Sequence, residues 1–197
     1  YKKGLLQSNA IFVCVGTPSK KNGSPNLEYV SNVFISLAKN IGDHGVIFIK
    51  STVPIGTNKR MQSLFKKYNK NPEIKFASNP EFLKEGDAIN DFKKPDRIII
   101  GADDSYVLQI AHKIYKPFNR QINRMIYTNI ESAELIKYAA NSFLATKISF
   151  INEISRLCEK TNANIDEVRQ GIGSDSRIGS QFLYPGLGYG GSCFPKD

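Results

Sequence analysis

Short apolar runs in the first 130 residues predict a set of buried strands. The first run covers residues 10–15 and ends at Gly16. Further runs cover residues 46–49, 74–77, 97–100 and 125–127. Strands that are apolar throughout, rather than alternately, are typical of parallel sheets with helices on both faces.

Helical periodicity fills the intervals between these strands. Apolar residues recur three and four positions apart in residues 27–40, 57–68 and 106–115, as they do along helices that bury one face. Strands that alternate with helices of this length predict an α/β fold with a doubly wound, Rossmann-like parallel sheet. Ligands of such sheets bind outside the carboxyl ends of the strands, so the loops there are the first candidates for a site.

A long helix is predicted to follow the last strand. Residues 132–160 contain neither Gly nor Pro, and Ser132 is the expected N-cap. Apolar residues occupy most of the helix circumference, which predicts a buried helix that joins two domains and contacts a partner subunit in a homodimer. A short helix at 165–172 and a Gly-rich, aperiodic tail at 173–197 complete the chain.

Composition and charge limit the classes of partner that the protein is expected to bind. The net charge is +9, but the lysines are scattered, which favours a solvated basic surface over an acidic partner. No nucleic-acid-binding motif occurs, and no apolar run is long enough to span a membrane, so neither is expected as a partner. The three cysteines lie far apart, which predicts reduced thiols in a cytoplasmic protein and no metal site.

Cys193 is the strongest candidate for covalent chemistry. Residues 186–191 match GxGxxG, but no strand precedes them and no helix follows, so we reject a dinucleotide fingerprint. A cradle of backbone N–H groups is favoured over a merely flexible loop. Such a cradle, with a cation such as Lys196, would lower the pKa of a thiol. Cys14 and Cys158 are instead expected to be small buried residues.

Two pairs of polar residues stand four positions apart. Lys137 and Asn141 share one face of the long helix, where an ammonium and a carboxamide could stabilise an oxyanion. The alternative is an ordinary surface pair. Glu81 and Glu85 follow a strand and could hold a substrate hydroxyl or act as a base. The alternative for this pair is stabilisation of a helix N-terminus.

Seven segments together cover nearly the whole chain and have a common resemblance. They are VCVGTPSKKNGSPNLEYV, KSTVPIGT, SNPEFLKEGDAINDF, KPDRIIIG, AELIKYAANSFLATKISFINEI, GIGSDSRIG and FLYPGLGYGGSCFPKD. In this order they resemble the UDP-glucose 6-dehydrogenases, a family of NAD-dependent enzymes. The resemblance implies NAD as cofactor and UDP-glucose as the substrate, oxidised by four electrons to the uronate. GDP-mannose or a UDP-N-acetyl hexosamine is the alternative substrate.

The resemblance also implies a role for each matching residue. Cys193 would form a thiohemiacetal and then a thioester, and Lys137 and Asn141 would hold the oxyanion. Asp197 and Thr52 would order the hydrolytic water, with Glu85 as general base. The cofactor would contact Thr17, Thr52 and Glu81. The nucleotide sugar would contact Glu81, Phe82, Leu83, Lys137, Asn141, Arg177, Phe182, Leu183, Tyr184, Gly186 and Gly190.

Two parts of the family pattern are not found in this sequence. These are the first strand with its GxGxxG loop and the domain that follows the cysteine loop. The resemblance therefore implies a partial NAD-binding, Rossmann-like domain at 1–128, with an incomplete sheet. Residues 129–197 would be the connecting helix, the catalytic cysteine loop and the start of a helical central domain.

If residues 1–197 acted alone, strand 10–15 would form an exposed sheet edge, and no dehydrogenase activity would be expected. The alternative from another functional class is a non-catalytic nucleotide-binding module. Such a module would have no use for Cys193, Lys137 and Asn141.

Overall fold

A computed structural model describes residues 2–84, 86–118, 122–191 and 193–197, with the backbone alone for Lys2 and Lys3. The chain forms two compact units, Tyr1–Lys137 and Tyr138–Asp197. The strands are β1 (Ala10–Val13), β2 (Gly45–Ile49), β3 (Ile74–Ser78), β4 (Ile98–Gly101) and β5 (Met125–Thr128). The helices are α1 (Lys2–Leu6), α2 (Glu28–Asn40), α3 (Thr57–Lys66), α4 (Ala88–Lys93), α5 (Ser105–Tyr115), α6 (Ile130–Thr161) and α7 (Ile165–Gly173), with a 3-10 turn at Lys116–Phe118.

The five strands form one sheet in chain order, β1 to β5. The predicted α/β fold is confirmed, but the sheet is not parallel throughout. β3 and β4 are antiparallel and meet at one pair, Ser78 and Gly101, whereas the other neighbours are parallel. A parallel crossover usually contains a packed helix. The only helix between β3 and β4 within the described residues is α4, which has six residues and buries none of them.

Both faces of the sheet are buried, which explains the continuous apolar runs. Ile47 and Ile49 of β2 lie in the core formed with α2 and α3. Val46 and Phe48 of the same strand lie in the opposite core, with α5. All four are 1% exposed or less, and burying each side chain contributes about 2 kcal/mol.

The start of α6 differs from its predicted position. The helix begins at Ile130, and the side chain of Asn129 accepts a hydrogen bond from the Ser132 N–H at 2.8 Å. Asn129 therefore provides the side-chain cap that was expected from Ser132. Both residue types are good N-caps, so the sequence alone gives little basis for choosing between them.

Within the single chain, α6 is not buried nearly all round. Its exposed apolar residues are Leu135, Phe143, Phe150 and Leu157, each at least half exposed. Periodicity identifies apolar positions but does not say what covers them. No helix within the described part of the chain is long and apolar enough to cross a membrane.

Candidate active site

The loops that follow β1 and β2 are joined by a buried hydrogen bond. Thr17 donates from its hydroxyl to the Thr52 carbonyl at 2.8 Å, and both residues are buried. Beside them, the Ser51 hydroxyl donates to the Val15 carbonyl at 2.6 Å. The two threonines predicted to contact the cofactor are therefore brought together at the carboxyl ends of adjacent parallel strands, where dinucleotides bind in such folds.

Glu81 lies in the extended segment after β3 and is paired with Lys137. One carboxylate oxygen is 3.3 Å from the Lys137 Nζ, and the other accepts the Leu83 N–H at 2.7 Å. The Lys137 side chain is only 6% exposed, so it is not part of a surface pair. Glu81 does not stabilise a helix N-terminus either, because α4 begins only at Ala88. Glu85 lies outside the described residues.

Two cations lie against the ring of Phe82. The guanidinium carbon of Arg97 is 4.0 Å from the ring centroid, and the Lys137 Nζ is 5.4 Å from it. Both distances allow a cation–π attraction. The segment that carries Glu81 is thus held by Arg97, which directly precedes β4, and by Lys137 of α6.

Lys50 and Cys14 are two further ionisable residues whose pKa values depend on each other, which the sequence did not indicate. Burial lowers the pKa of the Lys50 ammonium, and Lys137 lowers it further, while Cys14 and Glu81 act in the opposite direction. Cys14 was predicted to be a buried strand residue, but this is wrong. It follows the end of β1 and is exposed, although partial burial of its thiol raises the pKa against the effect of Lys50.

A buried polar pair supports the start of the Glu81 segment. The Tyr115 hydroxyl donates to the Asn79 side-chain oxygen, and the Asn79 amide donates to the Ile99 carbonyl at 2.9 Å. Burial raises the pKa of Tyr115, so this hydroxyl is a donor at any physiological pH. Sequence reasoning missed the pair because its two members come from α5 and from the loop after β3, which are far apart in the sequence.

Glu134 holds the amino end of α3. Its two carboxylate oxygens accept the N–H groups of Gly56 at 2.6 Å and Asn58 at 2.8 Å. The residue is 3% exposed. Burial raises the pKa of Glu134, and the two backbone donors oppose that shift. Glu134 lies one helical turn before Lys137 on α6, but its partners are main-chain N–H groups, which give no signal in the sequence.

The second unit brings Asn141, Asp197 and Cys193 together. The buried Asn141 amide donates to one oxygen of Asp197 at 2.5 Å, and the Lys196 Nζ donates to the other at 2.5 Å. The backbone N–H groups of Lys196 and Asp197 both donate to the Cys193 carbonyl at 3.1 Å. Cys193 is exposed, while the Asp197 side chain is 2% exposed. The Lys196 ammonium, predicted beside the thiol, pairs with Asp197.

The tail after α7 contains the residues predicted to bind the nucleotide sugar. Arg177 is exposed and forms a two-pronged ion pair with Asp175 at 2.6 to 3.2 Å, which raises the pKa of Arg177 and lowers that of Asp175. The ring of Phe182 lies 6.3 Å from that of Phe194. Leu183 is buried and Tyr184 half-exposed. The two predicted glycines of this tail are Gly186, whose N–H donates to Asn152, and Gly190, which has open space beside its Cα.

No group of three His, Cys, Asp or Glu residues among those described is arranged to hold a metal ion. The small residues and hydroxyls at the carboxyl ends of β1 and β2 fit a dinucleotide instead. A sheet with helices on both faces and polar loops at that edge defines a Rossmann-like α/β protein.

Sequence comparison identifies the family within this class. The chain belongs to the UDP-glucose/GDP-mannose dehydrogenase family. The sequence model of that family's NAD binding domain matches residues 1–119, and the model of its central domain matches residues 131–197.

Individual relatives are similar to this chain in sequence or in fold over nearly its whole length. UDP-glucose 6-dehydrogenase YwqF of Bacillus subtilis is 51% identical over 198 residues, which are 100% of this chain and 44% of that protein. A UDP-glucose dehydrogenase structure from Pyrobaculum islandicum is 38% identical, with a TM-score of 0.92 over 99% of this chain and 45% of that one. GDP-mannose dehydrogenase from Pseudomonas aeruginosa is 32% identical, with a TM-score of 0.83 over 99% and 46%. The chain thus spans less than half the length of each of these three relatives.

Proposed function

We propose that this chain is the central part of an NAD-dependent nucleotide-sugar 6-dehydrogenase that oxidises UDP-glucose to UDP-glucuronate. The observation that carries the proposal is the Asn141–Asp197 hydrogen bond on the same turn as the exposed Cys193. The choice of UDP-glucose rests on the identity to the enzyme of that name from B. subtilis, which exceeds the identity to GDP-mannose dehydrogenase. GDP-mannose and UDP-N-acetyl hexosamines are the alternatives that a substrate panel separates.

The proposed cofactor is NAD, and Thr17, Thr52 and Glu81 are its proposed contacts in this chain. Bound NAD⁺ would supply the oxidant, with one NAD⁺ consumed in each of the two oxidation stages. The buried bond between Thr17 and Thr52 keeps the two loops in place before the cofactor arrives, so less loop entropy is lost on binding. We place the cofactor domain at 1–128 and the connecting helix with the cysteine loop at 129–197.

Cys193 is the proposed nucleophile. Its thiolate adds to the carbonyl carbon of the sugar aldehyde to give a thiohemiacetal, whose oxidation leaves a thioester. Lys137 and Asn141 stabilise the negative oxygen that develops at that carbon, a role suited to an ammonium and an amide donor. A thiolate requires a reducing compartment, for which we propose the cytoplasm.

Water then cleaves the thioester to release the carboxylate and restore the thiol. Asp197 and Thr52 are proposed to orient this water, with Glu85 as the base that takes its proton. Asp197 is suited to an orienting role because its carboxylate is already fixed by Asn141 and Lys196. Phe82, Leu83, Arg177, Phe182, Leu183, Tyr184, Gly186 and Gly190 are the further proposed contacts of the nucleotide sugar.

We also propose that the protein is a homodimer. Phe143, Phe150 and Leu157 of α6 recur every seven residues, and each is at least half exposed. An apolar stripe with this period is typical of packing between two helices. A second copy of the same helix is the occupant that this regularity favours.

The Cys193→Ala and Cys193→Ser variants of the full-length protein test the enzymatic proposal. We expect both to lose uronate formation by at least about 10³-fold, because covalent catalysis requires the thiolate. Cys14→Ala is the matched control, since it removes an exposed cysteine with no proposed role. NADH production by the Cys193 variants at the wild-type rate would contradict the mechanism. Binding of nucleotide sugar without any turnover by the wild type would favour a non-catalytic module.

A further inference from the structure

The tail that follows α7 has no helix or strand in its described residues, yet side chains of α6 and α7 fix it at three points. The Lys147 Nζ donates to the carbonyls of Ile178 at 3.0 Å and Gly179 at 3.4 Å. The Asn152 side-chain oxygen accepts the Gly186 N–H at 2.9 Å. The third point is Arg169, which contacts the stretch of the tail between these two.

Arg169 makes two different contacts with consecutive residues of the tail. Its Nε donates to the Leu183 carbonyl at 3.1 Å. Its guanidinium carbon is 4.8 Å from the centroid of the Tyr184 ring. A planar guanidinium can donate at its edge while it stacks on an aromatic face, so one side chain fixes both the backbone and the next ring.

The geometry of Phe182 shows why such a contact is needed. Phe182 has a φ of +65°, a left-handed conformation that costs a bulky residue free energy and persists only where its surroundings enforce it. The next residue, Leu183, is 1% exposed and its carbonyl is bonded to Arg169. The Phe182 ring in turn lies against Phe194, the neighbour of Cys193.

We propose that Arg169 is a positioning residue that holds residues 182–186 in the conformation that binds the nucleotide sugar. The proposal rests on the function proposed above. Arg169 itself is not expected to touch a reacting atom. It acts through Leu183 and Tyr184, and its loss frees the chain between the anchors at Gly179 and Gly186.

A purely structural role for Arg169 would instead depend on Asp166. The two residues form an i,i+3 pair with 3.3 Å between Nη1 and Oδ1, and the Asp166 side chain is 76% exposed. Exposed pairs of this kind contribute little to stability. Asp166→Asn removes this ion pair and keeps both contacts of Arg169 with the tail, so it is the matched control.

The test measures the Kd and KM for UDP-glucose, the KM for NAD⁺ and kcat in the full-length protein. We expect Arg169→Ala to raise the Kd and KM for UDP-glucose about 10-fold, with the KM for NAD⁺ within two-fold of wild type. Arg169→Lys should recover only part of the loss, because an ammonium cannot both stack and donate from Nε. Asp166→Asn should behave like wild type, because it keeps both contacts of Arg169 with the tail.

Limited chymotrypsin digestion without ligand adds a readout that is independent of activity. We expect cleavage within residues 182–189 to be about 10-fold faster in Arg169→Ala than in wild type or Asp166→Asn. If Arg169→Ala does not fold, Arg169→Lys carries the same test.

A folded Arg169 variant with an unchanged Kd, or an equal effect of Asp166→Asn, would overturn the positioning role. A wild-type protein that binds none of UDP-glucose, GDP-mannose and UDP-N-acetyl hexosamines would instead refute the proposed function, and the positioning role with it.

Discussion

The Lys137 side chain lies where water scarcely reaches it. A buried cation needs a partner, and Glu81 provides one at 3.3 Å. Lys50 lies close enough for the two ammonium groups to disfavour each other, which contributes to the lowered pKa of Lys50. The site therefore concentrates two lysines around one carboxylate, and removing Glu81 would leave two ammonium groups that repel each other.

Replacing Lys137 by Met should destabilise the folded protein. We expect the free energy of unfolding to fall by about 3 kcal/mol, because the Glu81 carboxylate loses its buried partner. Urea denaturation of the full-length protein measures this change. Lys59→Met is the control, since Lys59 pairs with Glu131 at an exposed position and should change stability little. Equal effects of the two variants would contradict a buried charge pair at Lys137.

Residue-scale features were predictable where a side chain interrupts a pattern. Lys137 and Asn141 interrupt an apolar helix, and Cys193 lies among glycines, so all three are visible in the sequence. Glu134 was missed because its partners are main-chain N–H groups, which carry no sequence signal. Tyr115 was missed because it packs as an ordinary apolar position of α5 and only its hydroxyl reaches Asn79.

At the scale of elements, Glu134 links α6 to the start of α3, next to the loop that carries Thr52. The first N–H groups of a helix have no partner within the helix itself. In α3 the carboxylate of Glu134 meets this need from a distant part of the chain. The position of the loop between β2 and α3 thus depends on a side chain more than 70 residues further on.

Replacing Glu134 by Gln should destabilise the first unit by about 1–3 kcal/mol, because an amide can accept only one of the two N–H groups and leaves the other buried without a partner. Burial raises the pKa of Glu134, so its contribution is complete below the pKa of an unfolded glutamate and declines as pH rises through the raised value. The advantage of wild type over the variant should therefore shrink with rising pH.

Thermal unfolding between pH 4 and 8 measures this trend. Glu131→Gln serves as the control of opposite sign, because the hydrogen bond from Lys59 lowers the pKa of Glu131. Its contribution should decline as pH falls. An advantage of wild type over Glu134→Gln that grows as pH rises would contradict the assignment.

The positions of the strands were easier to predict than the relative direction of neighbouring strands in the sheet. Continuous apolar runs identified all five strands, since both faces of the sheet are covered. The antiparallel β3–β4 pair was not predictable, because direction depends on how residues 79–97 pack and α4 buries no side chain. The exposed stripe of α6 escaped prediction for a related reason, since a buried and an exposed leucine look the same in a sequence.

At the scale of the whole molecule, the apolar stripe of Phe143, Phe150 and Leu157 on α6 is expected to determine the oligomeric state. In the single chain, these three large apolar side chains are exposed at a regular interval along the helix. Exposed apolar patches of this kind usually mark an interaction site. The net charge of +9 does not oppose pairing there, because the charge is spread over the chain and the stripe itself is uncharged.

Replacing both Phe143 and Phe150 by Glu should convert a dimer of the full-length protein to monomers. Sedimentation equilibrium or light scattering should show the mass halved, because four carboxylates would face one another in an apolar interface. Ile89→Glu is the control, an exposed apolar residue of α4 that should leave the mass unchanged. A monomeric wild type, or a double variant of undiminished mass, would contradict the proposed dimer.

The Glu134 carboxylate at the amino end of α3 also makes that end of the helix an unfavourable site for phosphate groups. Helix amino termini commonly attract anions through their unpaired N–H groups. In α3 the N–H groups of Gly56 and Asn58 are taken by Glu134, and that of Thr57 by the Pro54 carbonyl. A diphosphate would meet a negative charge there instead of open donors, so α3 repels the very groups that other helices of this fold class attract.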